Sequence, residues 1–233
     1  MKVLLACEES QAVCKEFRLL GHEAYSCDLQ DESGGHPEWH IKGDALEVAR
    51  SQNWDLVISF PPCTHLAVSG ARWFERKRLS GEQEIGIKFF LEMWRLSNCT
   101  ENPIGIMNSQ DYLKKWFPDI FNYAISIGYP FKPTQVIQPY YFGDSAQKTT
   151  CLWLKGLKPL YHNSAPNLFD LEVSHVSKGE FYQWVDKKTK KIKRQPKWYA
   201  EAFMFSKEPG KERSKTFAGI AKAMAKQWAP IIK

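Results

Sequence analysis

Three short strand-like runs, KVLLAC, HEAYSCD and WDLVISF, alternate with two helix-like segments before residue 61, and this restricts the fold more than any other feature. The first and third carry unbroken apolar stretches, as strands covered on both faces require. Between the first two, SQAVCKEFRLLG puts Val13, Phe17 and Leu20 at helical spacing and offers Gly21 as a stop. GDALEVARSQ reads as a second helix, with Asp44 as N-cap. Parallel neighbours need crossover connections, so this β-α-β-α-β order predicts an α/β fold with a doubly wound, mostly parallel sheet.

Further along, EQEIGIKFFLEMWRLS is an amphipathic helix leading into NCTENPIGIM. Two more strand-like runs, TQVIQPYYF and TTCLWLKG, flank the turn GDSAQK, and SKTFAGIAKAMAKQWAPII reads as a closing helix. Residues 157–212 differ: Pro, Asn and Lys rise and periodicity weakens. They are read as a small inserted recognition segment in a main domain made of 1–156 and 213–233. A chain of 233 residues accommodates one such domain. No run approaches the roughly 18 apolar residues of a membrane span. MKVLLACEES turns acidic too early for a secretory signal, so it is taken as the first strand.

The cysteines (Cys7, Cys14, Cys27, Cys63, Cys99, Cys151) form no CxxC pair, and no histidine falls at ligand spacing with one of them. Reduced thiols in a cytoplasm are expected, without a metal site. The net charge of +6 suits a polyanionic partner. Its distribution says more: DKKTKKIKRQPKWY, residues 186–199, holds seven Lys/Arg and ends in two aromatics. A solvated hairpin or loop is the plain reading. The aromatics and the scarcity of acid point to phosphate contact, through Lys188, Lys190, Lys191, Lys193 and Arg194.

Ligands of doubly wound sheets bind at the carboxyl ends of the strands, and Asp28, Asp44, Cys63 and Glu101 all fall there. Singly, each has a duller role as loop acid, helix cap, buried thiol or turn acid. Together they describe a site. Asp28, after the second strand, suits the two hydroxyls of a ribose. Asp44 either meets an adenine amino group or only caps its helix. Cys63 follows Pro61-Pro62, which stiffen its backbone, and is the candidate nucleophile.

These residues sit in blocks that resemble DNA cytosine-C5 methyltransferases. PPCTHLAVSG is similar to that family's Pro-Cys-Gln catalytic loop, and Glu101-Asn102-Pro103 to its Glu-Asn-Val/Pro motif. FGDSAQKTTCLWLKG is similar to the Gln-x-Arg-x-Arg segment with its following strand, and GIAKAMAKQWAPI to the last family helix. The block order agrees too, and the nearest form is the small phage-type member with a shortened recognition region. The resemblance implies a Rossmann-like class I fold, S-adenosylmethionine as cofactor, and DNA as partner, double-stranded with a short target sequence. It implies a monomer in the cytoplasm, or in that of the host if phage-encoded.

The resemblance also assigns roles. Cys63 would add to C6 of a flipped-out cytosine, Glu101 would stabilise the protonated ring, and Lys148 would supply positive charge near O2. The cofactor would meet Cys7, Glu8, Glu9, Asp28, Asp44, Pro61 and Ala218. Thr64, Ser69 and Arg72 would meet DNA, the loop from Thr64 to Gly70 closing as a lid with Arg76, Lys77 and Arg78 reaching phosphates. The chain departs from the pattern in its first motif, where Glu8, Glu9 and Gln11 replace glycines and an aromatic, and at Thr64, Lys148 and Thr150. An amino-methyltransferase would need a polar residue where Phe60 stands and an aromatic where Cys63 stands. The same chemistry on RNA or a free cytosine nucleotide stays open, as does a catalytically inactive DNA binder.

Overall fold

The computed structural model describes residues 1–165 and 173–229. Among them the strands are β1 (Lys2–Ala6), β2 (Glu23–Asp28), β3 (His40–Lys42), β4 (Leu56–Ser59), β5 (Cys99–Pro103), β6 (Gln135–Ile137), β7 (Thr150–Leu154), β8 (Phe181–Val185) and β9 (Ile192–Pro196). The helices are α1 (Ala12–Leu19), α2 (Ala45–Arg50), α3 (Phe74–Leu79), α4 (Glu82–Leu96), α5 (Gln110–Trp116), α6 (Pro118–Ser126), α7 (Lys197–Phe205), α8 (Pro209–Ser214) and α9 (Ala218–Trp228).

Seven strands form one sheet in the order β3-β2-β1-β4-β5-β7-β6. Pairings from β3 through β5 are parallel, while β7 runs antiparallel to both β5 and β6. The sheet is therefore doubly wound and Rossmann-like, with β7 set between the fifth and sixth positions of the usual order. The order reverses between β1 and β4, so the crevice beyond their carboxyl ends is where this architecture receives ligands.

The core follows from the period of two along each strand. Val3 and Leu5 of β1, with Leu56 and Ile58 of β4, pack under Val13 and Phe17 of α1 and Ile220, Met224 and Trp228 of α9. Leu4, Ala6 and Val57 face the other way, against Ala45 and Ala49 of α2 and Met93 of α4. A third cluster joins α4, α5 and α6 to Cys151 and Trp153 of β7. Burial of each large apolar side chain stabilises the fold by roughly 1.5–3 kcal/mol.

Several expectations shift. TQVIQPYYF yields a strand only over Gln135–Ile137, because Pro139 cannot donate to a ladder and begins a 3-10 turn. No sequence expectation corresponds to α3, α5, α6 or the edge strand β3. In 157–212, Leu157 and Leu160 are buried in the main core, and Trp228 Nε1 donates to Lys158 O at 2.9 Å. The rest supplies the hairpin β8–β9 and helices α7 and α8. Its portion 166–172, and residues 230–233, which include the last three residues of the run expected to form the closing helix, lie outside the described residues.

Candidate active site

The β1–α1 loop makes its turn without glycine. Cys7 and Gln11 both adopt positive φ, at 61° and 56°, a conformation costing ordinary residues about 1–2 kcal/mol each. Hydrogen bonds hold it in place. Gln11 is fully buried, donates to Ser26 Oγ and His36 O, and accepts from His36 N. Glu8 accepts from Val13 N at 2.6 Å and Cys14 N at 3.2 Å. Burial pushes Glu8 up to about 8, against the pull of those two amides. The amides at the start of α1 would otherwise be an anion site. The chain's own Glu8 side chain fills it, so a pyrophosphate has no place there.

Glu9 is different. Its Oε2 accepts from Ser33 Oγ and lies 3.6 Å from Lys211 Nζ of α8, while Oε1 is buried without a partner. A buried acceptor left unsatisfied costs about 1–3 kcal/mol, and a bound cationic group would remove that cost. Asp28 ends β2 and accepts from Gln30 N at 3.0 Å through Oδ1. Asp44 caps α2, its Oδ1 accepting from Leu46 N at 2.7 Å and Glu47 N at 3.3 Å. Both acids bear on Cys7, whose thiol is pushed far up, first by burial and then by the charges of Asp28, Cys27 and Asp44. Asp28 and Asp44 therefore form an acidic edge around a neutral Cys7, beside the β1–β4 crevice.

Next to it, the loops after β4 and β5 are stitched together. Asn102 Nδ2 donates to Pro61 O at 2.8 Å, Val68 N to Ile104 O at 3.1 Å, and Ile106 N to Leu66 O at 2.9 Å. Cys63 O accepts from Leu66 N and Ala67 N, which closes a tight turn on the nucleophile candidate. Gly105 permits the approach, because a methyl there would overlap Leu66 O and stand 2.9 Å from Leu66 C. Lys77, expected to reach phosphate, is buried and donates to Thr64 O, and Gln83 Nε2 donates to His65 O at 3.0 Å. The loop expected to move as a lid is anchored through its middle.

Cys63, on the loop after β4, and Glu101, within β5, influence each other. Burial pushes the Cys63 thiol up, the charge of Glu101 adds to this, and Lys148 and Arg213 oppose it. Burial likewise raises the Glu101 carboxyl, against Lys148 and a hydrogen bond to Thr150. Glu101, Lys148 and Thr150 line a small cavity with Thr216, Phe217 and Ile220. Lys148 Nζ donates to Ser214 O and Lys215 O, both at 3.2 Å, so its charge also secures the end of α8. Ala218 opens α9, and the next residue, Gly219, donates its N–H to Asp144 Oδ2 at 2.8 Å. A methyl on Gly219 would overlap Phe142 O, so this docking needs glycine.

Among the expected nucleic-acid residues, Thr64, Ser69 and Arg72 are exposed around the Cys63 loop. Lys188, Lys190, Lys191, Lys193 and Arg194 lie on the hairpin β8–β9, in the turn or on β9. Lys193 is paired with Asp186 at 2.5 Å, which leaves the others as the freer cations. The hairpin reaches the site through α7: Trp198 Nε1 donates to Gln147 O at 3.2 Å, and its ring meets Phe217 at 5.2 Å.

The sequence reading passed over Arg213, Lys211, Thr150 and Gln83 as site residues. Arg213 stacks on Tyr199 at 4.6 Å and Phe203 at 4.2 Å, with its charge still acting on Cys63. The available signal was its place beside SKTFAG, at the return to the main domain.

No family model matches the chain, and no curated protein matches it by sequence. One solved structure, provisionally described as a DNA modification methyltransferase encoded within a prophage (E. coli), is similar at 12% identity and a TM-score of 0.43. The alignment covers 86% of this chain and 63% of that one, so the chain spans less than two thirds of that protein's length.

Proposed function

We propose that the chain is an S-adenosylmethionine-dependent DNA methyltransferase acting at C5 of cytosine. The observation that carries this reading is a thiol and a carboxyl set side by side, Cys63 on the loop after β4 and Glu101 on the adjacent strand β5, whose next residue Asn102 bonds Pro61 O. C5 of cytosine is a poor nucleophile. The Cys63 thiolate would add at C6 and make C5 enamine-like, while the raised Glu101 carboxyl would keep a proton to share with N3. Lys148 and Arg213, the two cations that oppose the rise of the Cys63 thiol, would favour the thiolate. Loss of the C5 proton and expulsion of the Cys63 sulfur would then restore the ring. Phe60 before the prolines and Cys63 after them fit poorly with methylation of an exocyclic amine.

The residues present fit the cofactor. S-adenosylmethionine carries no phosphate, in keeping with an α1 terminus already filled by Glu8. Its ammonium would meet the orphaned Glu9 Oε1, with Lys211 near its carboxylate and Asp28 at the ribose. When bound, it supplies an electrophilic methyl group. Glu9→Gln should weaken S-adenosylhomocysteine binding about tenfold to a hundredfold, as expected for loss of a charge-assisted hydrogen bond. The same variant should bind 5′-methylthioadenosine, which lacks the amino-acid end, as tightly as wild type. Calorimetry with both ligands checks this, and an equal effect on the two would remove Glu9 from that role.

The function itself is tested by radiolabelled methyl transfer to duplex DNA, single-stranded DNA, RNA and dCMP in parallel. Label on C5 of cytosine in duplex DNA is expected. Label on an exocyclic nitrogen, or on none of the four, would contradict the reading.

A further inference from the structure

The α3–α5 face carries a second charged surface next to the Cys63 loop. Trp73, at the start of α3, is 46% exposed, with Arg72 and Arg76 at 5.0 and 5.3 Å from its ring centroid. Trp116, ending α5, is 43% exposed, with Arg78 at 4.0 Å and Lys115 at 4.7 Å. Among the described residues no carboxylate lies within ion-pair distance of these four cations. An indole under a guanidinium limits its motion without neutralising it, so each tryptophan holds cations ready for an anion.

The face is also wired to the loop behind it. Arg78 Nη1 donates to Tyr112 OH at 2.7 Å, Tyr112 OH to Gln83 Oε1 at 2.8 Å, and Gln83 Nε2 to His65 O at 3.0 Å. His65 lies two residues after Cys63.

We infer that this face takes the sugar–phosphate backbone of the nucleic acid flanking the target nucleotide, as a contact separate from the basic hairpin β8–β9. The charge complementarity favours a polyanion, and the attachment to the nucleophile loop selects the one that loop would act on. The inference rests on the proposed DNA substrate. Phosphate contacts release counterions, so their number is read from the salt dependence of binding, at about 0.9 in slope for each contact on duplex DNA.

The test measures binding of the full chain to a fluorescein-labelled random-sequence duplex by anisotropy, from about 50 to 200 mM salt. Arg72, Arg76 and Lys115 are all exposed, so the triple variant R72A/R76A/K115A removes three charges without opening the core. The expected result is a slope shallower by about two to three, with R72K/R76K keeping the wild-type slope. A triple variant with an unchanged slope overturns the surface while leaving the DNA reading intact, and a loss seen only on phosphatidylserine vesicles does the same in favour of a membrane. A wild-type chain that binds no duplex overturns both.

Discussion

Cys63→Ser should abolish methyl transfer while leaving duplex DNA binding in place. Serine has nearly the volume of cysteine, and the turn that holds this position is made by backbone bonds from Leu66 and Ala67. The fold therefore has little reason to change. A hydroxyl is far harder to deprotonate than a thiol and far less nucleophilic as it stands. Removing a covalent nucleophile costs on the order of 10⁴-fold or more in rate. Tritium transfer measured beside fluorescence anisotropy separates the two effects. A serine variant that methylates at a rate near wild type would show that the sulfur is not the nucleophile.

Glu101→Gln should slow transfer by about 10²-fold or more, the range expected when a positioned acid is lost. An amide can still hydrogen-bond the ring but has no proton to give it. The pH profile supplies the sharper readout. Transfer needs Cys63 deprotonated and Glu101 protonated, and both groups sit above their ordinary values through burial. Two opposite requirements give a bell-shaped profile in the wild-type enzyme, whose flanks belong to the interacting pair. In the glutamine variant only the thiol remains to titrate, so the rate should rise with pH as thiolate forms, without the fall at high pH. A variant that keeps the full bell would place the second titrating group elsewhere.

The centre of the sheet was legible because β1 and β4 are continuous apolar runs and the β-α-β-α-β order admits few topologies. The carboxyl-edge position of Asp28, Cys63 and Glu101 followed from that topology together with PPC and ENP. What escaped is what sequence spacing does not encode. Lys77 and Gln83 belong to the exposed-looking string FERKRLSGEQ, yet both are buried because they bond the carbonyls of Thr64 and His65. Glu8 stands where glycines are expected, and only the fold brings its carboxylate back onto the amides of Val13 and Cys14. The charge of Arg213 acts on Cys63 from α8, 150 residues away in the chain (213 minus 63), an influence that only the tertiary structure creates. The short helices α3, α5 and α8 carry too few turns for a periodic pattern to emerge from their charged residues.

The most direct test uses duplex oligonucleotides with 5-fluorocytosine at the methylated position. Fluorine cannot leave as a cation, so after sulfur addition and methyl transfer the ring cannot regain its double bond, and the adduct persists. Incubation with S-adenosylmethionine, followed by denaturing electrophoresis and peptide mass spectrometry, should yield a methylated DNA adduct on the peptide that contains Cys63. If unmodified DNA is methylated at cytosine but no such adduct forms with the fluorinated duplex, covalent attack by Cys63 is excluded.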